Sequence, residues 1–187
     1  MPVWLTDSEY RSLSAACDRM IPPGDGRPGA ADAGVPAYID HLLGAFCFDP
    51  PRIWAGGPVS GRHGGEPGFG DFHRLGPLDE LAWRMRIEGS SGHPEREFNG
   101  PVVGLQQRFR DGLAALGADF CDVTPEEQDA RLRRDPEFGA LVYRHACEGM
   151  YGAPEYGGNR DGAGWRAIGF AGDVQPRGWS DDEVSRP

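Results

Sequence analysis

The chain has no lysine: all nineteen of its basic residues are arginine. That absence removes whole chemistries. A phosphate-binding P-loop needs its lysine on the nucleotide phosphates, and a pyridoxal-phosphate or aldolase-type site needs a lysine amine. Long apolar runs are missing too, and the longest, Leu42 to Phe48, is far too short to cross a bilayer. Positive charge is scarce against 29 acidic residues, and the net charge of −10 argues against nucleic acid or an anionic membrane as the main partner. The four cysteines (Cys17, Cys47, Cys121 and Cys147) form no C-x-x-C pair, and their wide spacing reads as reduced, mostly buried thiols. The opening Met1-Pro2-Val3-Trp4-Leu5 carries neither a basic n-region nor twin arginines, which sets the expectation of a cytoplasmic protein.

What the chain has in quantity is glycine and proline, 29 and 17 residues, about a quarter of the total. With 39% hydrophobic and 10% aromatic residues it can still build a core. The expectation for 187 residues is one domain of compact helices joined by long ordered loops.

Helical signals run along the chain. Thr6 and Glu9 make a capping box, Leu5 and Tyr10 stand at hydrophobic-staple positions, and Tyr10, Leu13, Cys17, Met20 and Ile21 repeat at helical spacing until Pro22-Pro23. A second helix takes Pro36 in its first turn and buries Val35, Tyr38, Ile39, Leu42, Leu43 and Phe46. Residues 49 to 77 read as one long loop, of the length that usually serves function or a partner. Leu78 to Ile87 is a short helix, followed by a loop over Glu88 to Asn99. A longer helix spans Pro101 to Leu116, with Val102, Leu105, Phe109, Leu113 and Leu116 on one face and Gly117 as its cap. Thr124-Pro125-Glu126-Glu127 opens the next with a capping box, and Asp135-Pro136 opens another carrying Phe138, Leu141, Val142, His145 and Met150. From Tyr151 onward glycine density ends regular helix, and residues 173 to 187 form an extended tail. No stretch alternates at period two. The fold class expected is all-α, an irregular bundle of about six helices.

Candidate chemistry is thin. His145 and Glu148 share a helix face and resemble half of a carboxylate-bridged di-iron motif, but no second copy at that spacing accompanies them. A free-standing metal protein or enzyme using them, with His41, is the alternative to a core histidine. His63, His73 and His93 lie in loops. Ser90-Ser91-Gly92-His93 lacks the G-x-S-x-G elbow of a nucleophilic serine, and the glycines between 56 and 70 do not spell a dinucleotide fingerprint.

One segment stands apart, from Tyr151 through Tyr156-Gly157-Gly158-Asn159-Arg160-Asp161 and Gly164-Trp165 to Gly172. Glycine at this density permits close backbone approach and positive φ, while Tyr156, Asn159, Arg160 and Trp165 are side chains of interface hot-spot type. Two readings stay open: an anchor for a partner, or a tightly turned loop whose Trp165 plugs its own core. An adaptor for an unrelated protein would use the same segment.

This segment resembles the signature of the gluconate 2-dehydrogenase subunit 3 family, in which a proline precedes Tyr-Gly-Gly-Asn-Arg-Asp and a Gly-Trp follows, here Pro154, residues 156–161 and Gly164-Trp165. Asp18-Arg19-Met20-Ile21-Pro22 and the stretch from Gly29 to Asp40 are similar to its amino-terminal pattern, and the similarity covers most of residues 5 to 172. The resemblance implies a small, non-catalytic subunit that holds no cofactor itself. It would accompany a large FAD-dependent oxidoreductase of the glucose–methanol–choline type and support its folding, stability or FAD loading. Tyr151, Tyr156, Gly157, Gly158, Asn159, Arg160, Asp161, Trp165 and Trp54 are then the candidates for the partner interface. Many relatives begin with a twin-arginine signal that this sequence lacks, so the expectation is a complex that stays in the cytoplasm, with export alongside the partner as the alternative.

Overall fold

The computed structural model describes residues 1–53 and 75–170, which fold into seven α-helices, with no strand among them. Trp54, His63 and His73, most of the 49–77 loop and the 173–187 tail lie outside the described residues. The helices are α1 (Asp7–Met20), α2 (Val35–Leu43), α3 (Pro77–Ile87), α4 (Leu105–Leu116), α5 (Pro125–Arg134), α6 (Pro136–Tyr151) and α7 (Ala163–Ala167). None of them is long and apolar enough to cross a membrane.

Local chemistry sets most helix starts. Thr6 and Glu9 cap each other's backbone at α1. At α5 only half of that device forms: Thr124 Oγ1 accepts from Glu127 N at 3.4 Å, while the Glu127 carboxylate turns to Arg131 and Arg134. Asp135 caps α6 by accepting from Phe138 N at 2.9 Å. The α4 helix starts at Leu105 rather than at Pro101. Val102 is held instead by Ser90, whose N–H donates to the Val102 carbonyl at 3.0 Å and whose Oγ accepts from Val102 N at 2.8 Å. Phe46, expected on α2, lies beyond its end in a 3₁₀ turn (Ala45–Cys47).

Helices α1 and α6 form the centre, α1 against α2, α4, α5 and α6, and α6 also against α2, α4, α5 and α7. The core between them includes Leu13, Cys17, Ile39, Leu43, Phe109, Phe120, Val142 and Met150. Where α4 crosses α6 the ring of Phe138 fills the space a Cβ on Gly112 would need, so α6 packs an aromatic side chain directly on the α4 backbone. Polar ties fix the ends: Arg19 pairs with Asp129 through two bonds of 2.7 and 3.0 Å, and Arg131 donates to the last-turn Leu116 carbonyl at 2.9 Å. The cysteines are unpaired, but only Cys17 is buried. Cys47 and Cys121 are exposed and Cys147 is half-buried, a correction to the expectation of buried thiols.

Candidate functional site

The carboxy-terminal segment folds back over the ends of α2 and α6. After α6 the chain makes a 3₁₀ turn (Pro154–Tyr156) and descends so closely that a Cβ on Gly158 would stand 2.1 Å from the Gly149 carbonyl oxygen. Asn159 follows in a left-handed conformation (φ 45°), which asparagine tolerates better than most residues. Its amide is fully buried and works as a latch: Nδ2 donates to the Gly152 carbonyl at 2.8 Å, and Oδ1 accepts from Gly164 N at 2.8 Å and Trp165 N at 3.4 Å. Those two amides belong to the first turn of α7, whose donors need partners from outside the helix. That is why a helix forms where glycine density predicts none. Arg160 N donates to the Ala33 carbonyl at 2.9 Å and docks the latch on the loop before α2.

The motif therefore has two faces. Gly158, Asn159 and Gly164 are buried and hold it together, so they act from within. Gly157, Arg160, Asp161, Tyr151, Ile168 and Phe170 are exposed, and Tyr156 is half-buried against the core. Trp165 does not plug the core. Its Nε1 donates to the Tyr151 carbonyl at 2.8 Å and its half-buried ring meets Phe170 edge-on, with centroids 5.3 Å apart. Ile168 at 59% and Phe170 at 43% exposure are large apolar side chains left in water beside it. The exposed apolar character of residues 168–170 carries no hydrophobic period and escapes sequence reading.

His145 and Glu148 do meet, but inside a hydrogen-bonded clasp. His145 is buried with its ring against Phe109, its Nδ1 lies 2.7 Å from Glu148 Oε2, and the Tyr38 hydroxyl donates to the same oxygen at 3.2 Å. The clasp joins α2 to α6. The bond from His145 holds the Glu148 carboxyl below its ordinary range, and burial together with Glu148 pushes the Tyr38 hydroxyl up. His41 sits elsewhere, edge-on to Phe48, and burial with the Arg52 charge lowers its pKa. Among the described residues no group of three or more histidine, cysteine, aspartate or glutamate side chains is placed to hold a metal. Ser90 is buried and spends its hydroxyl on Glu97 and Val102, and His93 is an exposed partner of Glu95.

A depressed carboxyl pKa contributes stability that is complete above the unfolded-state value near 4.3 and is lost as pH falls through the folded value. Glu148→Gln is therefore expected to narrow the stability gap between neutral pH and about pH 3, relative to wild type. Thermal melts across that range check it, and an unchanged pH profile contradicts a charged Glu148 in the clasp.

A family model described as Gluconate 2-dehydrogenase subunit 3 matches residues 7–172, from the first helix through the whole latch. Comparison with the curated proteins and with the solved structures finds no match for the chain.

Proposed function

Because the chain belongs to the gluconate 2-dehydrogenase subunit 3 family, we propose that it is the small, non-catalytic subunit of a dehydrogenase complex. It binds a large flavoprotein of the glucose–methanol–choline type and supports that subunit's folding, stability or FAD loading. The flavin, on this reading, belongs to the partner. In this chain Gly158 and Gly164 of the motif lie against its own backbone, at Gly149 and Met150.

The observation that carries the reading is the outer face of the latch. A buried asparagine and two glycines without room for a Cβ fix a short stretch of backbone, and that stretch holds Trp165, Ile168 and Phe170 against solvent. Rigid display of aromatic and aliphatic side chains lowers the entropy lost on association and is how interface anchors are built. Arg160 and Asp161 flank them as exposed polar rim.

Trp165→Ala tests the assignment. The ring is half-buried and outside the core, so the variant is expected to fold. When it is tagged and co-expressed with a flavoprotein that wild type retains, the amount recovered should fall about tenfold, the effect of losing one anchor of roughly 1.4 kcal/mol. Wild-type recovery from the folded variant contradicts this role for the latch.

A further inference from the structure

The outer face of α6 carries a stripe that the core does not use and that meets the latch only at Tyr151. Pro136, Ala140, Tyr143, Cys147 and Tyr151 fall within about 80° of arc on the helix and run for about 22 Å. All are exposed except the half-buried Cys147, and none carries a formal charge, in a chain of which 26% of residues are charged. At its amino-terminal end the stripe opens into a groove of about 520 Å3, where Gly139 and Ala140 on α6 are walled by Met20 of α1 and Leu132 of α5. At its other end Tyr151 offers its carbonyl to Trp165, so the stripe runs into the outer face of the latch.

We propose that this stripe and groove seat an amphipathic α-helix of the flavoprotein subunit, one with a carboxylate where its apolar seam meets the groove's mouth. The inference rests on the subunit role proposed above and names the docking element within it. A helix is the occupant because the surface of α6 offers no backbone donors or acceptors. An extended segment laid there would leave its own peptide groups unpaired, whereas a helix satisfies its own. The small residues Gly139 and Ala140 allow the close interaxial approach, about 8–10 Å, at which helices interlock. The charge follows from the rim. Arg19 and Asp129 neutralise each other, and Arg133 at the mouth makes no salt bridge among the described residues; farther along, the exposed Arg144 shares its flank of α6 with Glu137 and Glu148. A second copy of this chain fits poorly. A two-fold pairing centred on the stripe sets Arg144 against the same arginine of the other copy, and like charges oppose it.

Cys147, in the middle of the stripe, is a native reporter, with the exposed Cys121 on the α4–α5 connection as internal reference. The experiment treats the free chain and the purified complex with N-ethylmaleimide and follows each cysteine by mass spectrometry. Labelling of Cys147 is expected to slow at least about tenfold in the complex, while Cys121 keeps its rate. Ala140→Arg, at an exposed position, should weaken the complex about tenfold without shifting the thermal midpoint of the free chain, and Arg133→Gln, which only removes the charge at the mouth, should weaken it to a smaller degree. Unchanged Cys147 labelling in a complex that still forms overturns this inference and leaves the subunit role intact. Protection of Cys147 in the free chain, together with a dimer by light scattering, assigns the stripe to a second copy and also overturns it. Failure of any flavoprotein to co-purify removes the subunit role and this inference with it.

Discussion

Gly164→Ala is expected to be among the most damaging single substitutions in the chain. The added Cβ would stand 1.8 Å from the Met150 carbonyl oxygen and 3.2 Å from Asn159 Oδ1. The first of these is backbone at the end of α6 and has no rotamer to give way. Relief requires lifting α7, and lifting α7 breaks the bonds from Gly164 N and Trp165 N to Asn159. Overpacking alone costs about 1–3 kcal/mol, and a buried amide left without its partners adds about as much again. The expected loss of about 3 kcal/mol lowers the thermal midpoint by about 6–12 °C for a chain of this size. It should also release the Trp165 indole from the Tyr151 carbonyl, which a red shift in tryptophan emission would report. A variant that melts with wild type would show that the latch is not packed as described.

Asp40→Ala comes next in expected size. Asp40 is 1% exposed, yet its carboxylate is fully used: Oδ2 accepts from Val3 N at 2.5 Å, and Oδ1 accepts from Trp4 N at 3.1 Å and Leu5 N at 2.9 Å. One side chain of α2 thereby satisfies three successive backbone donors of the segment that leads into α1. Alanine removes the shared acceptor of all three donors. Each orphaned donor costs about 1 kcal/mol or more, and the sum is about 3 kcal/mol, again a midpoint drop of about 6–12 °C. Calorimetry on the purified variant decides. A midpoint within about 2 °C of wild type would mean that the amino-terminal segment contributes little to stability.

These two sites illustrate what the sequence makes legible. The capping box of Thr6 and Glu9, the first-turn prolines of α2, α5 and α6 and the buried face Phe138–Leu141–Val142–His145–Met150 are local signals, and the fold follows them. The motif around Tyr156–Asp161 is legible by resemblance, and the family model covers it. Its interior is not. Gly-Gly-Asn reads the same whether it forms an exposed turn or a buried latch, and only the approach of Gly149 and Met150 from α6 makes it the latter. α7 escapes reading because its first-turn donors find their acceptor five residues back, in a side chain rather than in a local cap. Asp40 escapes because a lone acid amid Ile39, Leu42 and Leu43 shows nothing of the segment that will lie across it. The start of α4 shifts for a similar reason. Gly104 lies so close to Gly89 that a Cβ would stand 2.4 Å from its nitrogen, a tertiary contact that holds residues 101–104 out of the helix.

The central claim, that this chain serves as the small subunit of a flavin-dependent dehydrogenase, is tested most directly by one spectrum. The chain is tagged, co-expressed with a large flavoprotein of the glucose–methanol–choline type from the same organism, purified through its own tag, and its visible absorption recorded. A yellow complex is expected, with flavin bands and close to one flavin per copy of this chain, all of it associated with the larger polypeptide. A folded, colourless chain recovered alone, with the flavoprotein equally abundant in the unbound fraction, would contradict it.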